Sequence, residues 1–237
     1  MAIFVSTSFC SEFIDNFEYS DSPINHGWMF KFNGSDSNFF TSRESFSIIS
    51  RSLKGYVKSQ KHERIGLKYD FRNNEFGEIV RDNELLEFSV MFYDIYEKEN
   101  NSSEEDRSSK YDLDGNVKES LRNIYRNKND DSARFTISFY FFTTETYDKY
   151  ITISWSGDNY KYWTGRNWKY IKPRKKGWHK VNFQIVNNKL SLLFDNAMIT
   201  ENLHYVLKPE YFSWCSNGIA PNVEAYSWID DVKFSRK

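Results

Sequence analysis

Cysteine is nearly absent from this 237-residue chain: Cys10 and Cys215 are the only two. Two thiols cannot supply a disulfide scaffold, and their spacing does not suit zinc. They leave two readings open, one bridge joining the first and last strands or a pair of buried free thiols. Long apolar runs are missing as well. Nothing approaches the ~18 continuous apolar residues a membrane helix needs, which excludes a helical span. The opening Met1-Ala-Ile-Phe-Val-Ser6 has neither the basic start nor the length of a secretory leader. The protein is therefore either cytoplasmic, or extracellular or at the cell surface with a leader outside this sequence.

A surplus of charge is also lacking. Lys and Arg number 32 against 33 Asp and Glu, giving a net charge of −1 and a pI near 6.5. That balance lacks the electrostatic footprint of a nucleic-acid binder. The basic run Lys172-Pro-Arg-Lys-Lys176 reads as a solvated turn between strands.

Catalytic signatures are equally scarce. A glycosidase needs two carboxylates about 5–10 Å apart, most simply acids alternating along one strand face, and no Glu-x-Asp-x-x-Glu occurs. Glu87 stands alone, and Glu145 to Asp148 falls in a turn. A lyase would need a Tyr or His base beside a neutralising side chain, for which His179, Tyr140, Arg134 and Gln184 are the candidates. His179, at the start of a strand, reads as a structural hydrogen-bonder. Serine nucleophile elbows and glycine-rich phosphate loops are absent.

What the chain has is aromatic residues, 19% of the total, against a hydrophobic share of 39%, so large rings replace aliphatic volume in the core. They recur with period two, while no window makes a convincing amphipathic helix of three turns. Ile65, Leu67, Tyr69 and Phe71 alternate with Gly66, Lys68 and Asp70. Leu86, Phe88, Val90 and Phe92 follow the turn-like Arg81-Asp-Asn83, and Phe135 to Phe141 and Ile151 to Trp155 repeat the pattern. Val181, Phe183 and Ile185 lead into Asn187-Asn188, a pair suited to positive φ, and Leu190, Leu192 and Phe194 return, which predicts a hairpin. Short strands with turns between them predict one all-β domain over 1–237, a sandwich of two antiparallel sheets.

From about 97 to 132 the sequence turns polar and reads as an inserted surface loop. Its Asp112-Leu-Asp114-Gly-Asn116-Val-Lys-Glu119 alternates oxygen ligands as calcium loops do. It lacks their full length and closing bidentate acid, and reads as a solvated turn.

Three stretches carry a family resemblance. Asn16-Phe-Glu18 with Gly27-Trp28 looks like the opening strand of carbohydrate-binding β-sandwich modules, and Trp228-Ile-Asp-Asp-Val-Lys-Phe234 looks like their closing strand. Gly177-Trp-His-Lys-Val181, leading on to Leu193-Phe-Asp195-Asn196, resembles a strand pair of concanavalin A-like (laminin-G-like) lectins and glucanases. Asn196 stands where those proteins carry glycine. The resemblance implies a jelly roll associated with polysaccharides, glycoproteins or cell surfaces. It also implies a structural calcium held by Glu18 and Asp230 or Asp231, tying the chain ends together.

The candidate binding site is the ribbon from Tyr160 to Tyr170. Tyr160 and Tyr162 point one way and Lys161 and Trp163 the other; beyond the turn at Thr164 to Asn167, Trp168 and Tyr170 again share a face. Aromatic rings on a rigid sheet stack on sugar faces, and Arg166 and Arg174 add donors for hydroxyls or acidic groups. Thr136, Ser138, Tyr140, Thr152, Ser154, Asn182, Gln184 and Ser191 form a second candidate, a hydrogen-bonding sheet face. Trp155, Trp178, Trp214 and Trp228 read mainly as core or strand-end residues. The expected function is non-catalytic binding of a polysaccharide or glycan. The alternatives are a polysaccharide lyase or glycoside hydrolase of the same sandwich type, or a surface or viral adhesion protein.

Overall fold

In the computed structural model the described residues are 11–32, 38–43, 51–59, 64–96, 135–144, 149–216 and 223–237, without the side chains of 57–59, 156 and 223–225. The polar insertion, Cys10, Arg134 and the acids of 145–148 lie outside them.

Period-two alternation builds two antiparallel sheets, because each strand sends alternate side chains to opposite faces and each sheet must bury one of them. The eight-stranded sheet runs in the order β13 (Ala197–Tyr205), β12 (Lys189–Phe194), β11 (Gly177–Val186), β6 (Leu85–Asp94), β15 (Val223–Arg236), β4 (Ser52–Ser59), β3 (Phe39–Ser42). β1 (Ser11–Asp15) pairs with β15 beside them. The seven-stranded sheet runs β10 (Trp168–Pro173), β9 (Asn159–Trp163), β8 (Tyr150–Ser156), β7 (Thr136–Phe142), β14 (Lys208–Cys215), β5 (Ile65–Asp70), β2 (Trp28–Phe32).

Between the sheets lies a core made largely of rings. Ile151, Phe139, Phe212, Tyr69 and Trp28 stand side by side across the seven-stranded sheet. Phe183, Phe88, Phe234 and Phe13 answer them from the other. Phe139 meets Phe88 at 4.6 Å and Phe183 at 5.6 Å between ring centres. Each fully buried side chain of this size contributes about 1.5–3 kcal/mol. The sheets pack tightly at Gly55, where a Cβ would sit 2.8 Å from the Trp214 indole.

The turns follow residue chemistry. Asn187 and Asn188 take φ of 49° and 62°, and Asp195 and Asn196 take 49° and 64°. Both pairs occupy the left-handed region that two-residue hairpin turns require and that Asn and Asp tolerate. The first joins β11 to β12 as expected; the second joins β12 to β13, a strand the alternation did not announce. In β15, Asp231 at φ 46° lies in a bulge between the Asp230–Met91 and Lys233–Ser89 pairs. The extra residue keeps Ile229, Val232 and Phe234 all buried.

The opening strand lies earlier than the resemblance implied. β1 ends at Asp15, and Phe17 turns away at φ 54°. The buried Asp15 carboxylate accepts the Phe17 N–H at 2.9 Å, the Trp28 indole N–H at 2.8 Å and the Tyr19 hydroxyl at 3.2 Å. A local carboxylate gathering nearby donors competes with strand continuation.

Candidate functional site

The outer face of the seven-stranded sheet is built from three parallel rows of side chains, each running across the strands. One consists of Trp168, Trp163, Thr152, Ser138, Ser213, Lys68 and Met29. The next consists of Tyr170, Lys161, Ser154, Thr136, Cys215, Gly66 and Lys31. The third holds Tyr150, Tyr140, Tyr211 and Asp70.

Side-chain size varies systematically along these rows. In the first two rows indoles and a phenol stand over β9 and β10, small side chains cover β8, β7 and β14, and lysines rise again on β5 and β2, while the third row lines β8, β7 and β14 with tyrosines. The result is a shallow groove with an aromatic wall at one end, a hydroxyl floor and a cationic end. Ser138 and Thr152 share a hydrogen bond of 2.8 Å on that floor. Thr136, Ser138, Thr152, Ser154 and Ser213 are buried although they point away from the core. Lys31 illustrates the cause, leaning from β2 to within 3.3 Å of Ser213 Oγ.

The predicted ribbon divides between core and surface. Tyr160 and Tyr162 are buried in the core, whereas Trp168 and Tyr170 are 40% and 58% exposed on the outer face. Trp163 is half-buried beside Trp168, the ring centres 5.5 Å apart. Arg166 is exposed in the turn. Arg174 is turned inward: its Nε and Nη2 donate to the two oxygens of the buried Asp94 at 2.9 and 2.7 Å, and the Tyr160 hydroxyl donates to the same carboxylate at 2.7 Å. Burial, followed by the charge of Asp94, pushes the Tyr160 phenol above its ordinary value. Tyr160 and Arg174 thus fasten this ribbon to the opposite sheet, and Trp163, Trp168 and Tyr170 form the wall.

The proposed hydroxyl face does not exist as one surface. Thr136, Ser138, Tyr140, Thr152 and Ser154 lie in the groove, but Asn182, Gln184 and Ser191 lie on β11 and β12, in the other sheet. Gln184 there donates to Glu87 at 2.8 Å. The lyase set is separated in the same way. Tyr140 is in the groove, while His179 is buried on β11, its Nδ1 2.8 Å from Asp195 Oδ2 and its Nε2 2.7 Å from the Lys175 carbonyl. With both ring nitrogens engaged, His179 is a structural hydrogen-bonder.

Of the other tryptophans, Trp155 and Trp214 are core, as expected. Trp178, at the start of β11, and the buried Trp228 belong to a row on the outer face of the eight-stranded sheet, Trp178, Tyr93, Trp228, Lys54 and Phe40. Of the carboxylates that the resemblance implied for calcium, Glu18 follows β1 and Asp230 and Asp231 lie in β15. Glu18 Oε1 accepts the Arg51 amide at 3.1 Å, and Asp230 Oδ1 accepts the Asp231 amide at 2.8 Å. Among the described residues no three His, Cys, Asp or Glu side chains gather as metal ligands, against the six to eight oxygens calcium takes. Cys215 is a free, buried thiol whose pKa is raised by burial.

Sequence reasoning missed Lys31, Lys68, Tyr150 and Tyr211, the last stacked on Tyr140 at 4.1 Å between centres. The signal was present in the alternation of β5, where Gly66 and Lys68 face away from Leu67, but strand order alone brings the contributing strands side by side.

No family model matches the chain, and no curated protein matches it. Among solved structures, the Bacillus licheniformis β-glucanase superposes with a TM-score of 0.51 at 12% identity, over 94% of this chain and 97% of that one. The basic winged bean lectin with Tn-antigen gives 0.50 at 9% identity, over 97% and 99%. The fold is concanavalin A-like. At such identities the likeness is one of architecture, and the concanavalin-like sandwich, with no membrane-spanning helix among the described residues, frames the groove without naming its ligand.

Proposed function

We propose that this concanavalin-like sandwich binds a saccharide chain non-covalently in the groove on its seven-stranded sheet. The observation that carries the reading is the graded arrangement of the first two rows, with Trp163, Trp168 and Tyr170 walling a floor of small side chains beside the tyrosines of the third. Rings supply flat apolar faces for stacking, and the half-buried tyrosines of the third row add hydroxyls for the directed hydrogen bonds that a polyol needs. The same sandwich serves a β-glucanase and a lectin, which agrees with a sugar-binding use.

Binding without turnover is favoured by the carboxylates. Asp70 is the one acid in the three rows, and its oxygens are held by Arg72 Nη2 and by Lys68 Nζ, the latter at 3.2 Å. Arg72 leads the effects that lower its pKa, so Asp70 is a committed anion, and among the described residues these rows hold no second carboxylate of the kind glycoside hydrolysis uses. A glycan array followed by calorimetry on Trp163→Ala and Trp168→Ala tests the reading. Each substitution is expected to weaken binding by about 2 kcal/mol or more, as for an aromatic anchor. Unchanged affinity in both variants rejects the groove, and release of shortened products replaces binding with catalysis.

A further inference from the structure

Among the described residues Lys31 has no carboxylate partner. It stands opposite Gly66 on the edge strand β2, and where β5 presents no side chain it crosses to Ser213 on β14. A Cβ on Gly66 would lie 2.7 Å from Cys215 Sγ and 2.9 Å from the Lys31 carbonyl, so this passage requires glycine. Nζ ends 4.1 Å from the ring centre of Tyr140 and 4.9 Å from that of Tyr211.

The described surroundings hold no counter-charge for it. Partial burial works against the protonated form, and the ionisable groups acting on Lys31 are Cys215 and a second cation, Lys68. Among the described residues no Asp or Glu forms an ion pair with Lys31. Lys68 and Arg72 share Asp70, and Glu210 acts on Arg72 and Tyr211 without an ion pair to Lys31. Two tyrosine faces and one serine oxygen accommodate an ammonium but do not neutralise it. The neighbouring phenols stay protonated donors: burial raises Tyr140 and pushes Tyr211 up to about 12.

We infer that Lys31, with Tyr140, Tyr211 and Ser213, forms a subsite for an anionic substituent, a carboxylate or sulfate, on an acidic saccharide. This rests on the groove being the saccharide site. Ser213 lies three strands from Trp163 in one row, about 14 Å at ~4.8 Å per strand. A chain stacked on the aromatic wall and laid along the hydroxyl floor brings a later sugar to Lys31. The missing counter-charge then arrives with the ligand, and recognition discriminates acidic from neutral chains because the unpaired cation penalises the latter.

The test compares matched neutral, uronate-bearing and sulfated oligosaccharides on the full chain, Lys31→Met and Lys31→Arg, by calorimetry at two salt concentrations. A parallel arm measures acetylation of Lys31 by mass spectrometry with and without sodium sulfate. The intact protein is expected to prefer one acidic class on the order of tenfold or more, with the preference shrinking in salt. Lys31→Met is expected to lose the preference for acidic over neutral chains, and Lys31→Arg to keep part of it. Equal affinity for neutral and acidic chains, or a preference that survives Lys31→Met in a folded protein, overturns the subsite. If no saccharide binds yet sulfate protects Lys31, the anion subsite stands and the saccharide reading falls; neutral binding without protection gives the reverse.

Discussion

Arg174 and Asp94 form a bidentate pair at the end of the sandwich, with Asp94 fully buried and Arg174 10% exposed. The pair joins the segment after β10 to β6, and so fastens one sheet to the other. Arg174→Met strands a buried carboxylate and is expected to cost about 3–5 kcal/mol in urea unfolding. Adding Asp94→Asn to that variant should recover part of the loss. Saccharide affinity per folded molecule should not change in either.

Alternation within the Tyr160 to Tyr170 ribbon separates stability from binding. Tyr162→Ala empties a core site and is expected to destabilise by about 3–5 kcal/mol, whereas the exposed Trp168→Ala should stay within about 0.5 kcal/mol. Thermal melts and calorimetry on the same samples check this. The reverse ranking in both measurements would contradict the orientation of β9.

Gly55 marks a tight approach of the two sheets. Gly55→Ala places a methyl group 2.8 Å from Trp214 and 3.0 Å from Phe135, and is expected to cost about 1–3 kcal/mol through overpacking. Trp214→Phe in the same chain makes room and should return part of that loss, measured as a shift in urea midpoint.

Asp195 predicts an acid limb in the stability profile. Burial raises its pKa, but hydrogen bonds from Lys172 and His179 and from the Lys180 amide outweigh this and leave it below its ordinary 3.8. A carboxyl depressed in the folded state stabilises above its unfolded value and loses that contribution as pH falls through the folded one. Unfolding free energy should therefore drop as pH is lowered below about 3.8, and less steeply in Asp195→Asn. Parallel slopes for the two proteins would remove Asp195 as a contributor.

The alternation of Phe135 to Phe141, and of Val181 to Phe194 about Asn187-Asn188, carried the two-sheet architecture in plain view. Period two and left-handed turn chemistry act between near neighbours, so composition suffices to read them. β13 was less legible: its burial follows no strict alternation, and register shifts interrupt its pairing with β12.

The face each residue occupies within a strand was local knowledge: Trp163, Trp168 and Tyr170 on one side of their ribbon, Tyr160 and Tyr162 on the other. Which strands lie side by side was not, because hydrogen-bonded order joins segments as distant as Ser11 and Arg236, and side chains such as Lys31 and Ser213 meet across 182 residues. Tertiary structure alone put Thr152, Ser138 and Ser213 in one row, sent Gln184 to the opposite sheet, turned Arg174 from ligand donor into clamp, and gave Lys31 its place over two tyrosines. Pleat geometry is written into every second residue, whereas partners across a sheet are chosen by the collapse of the whole chain onto one core.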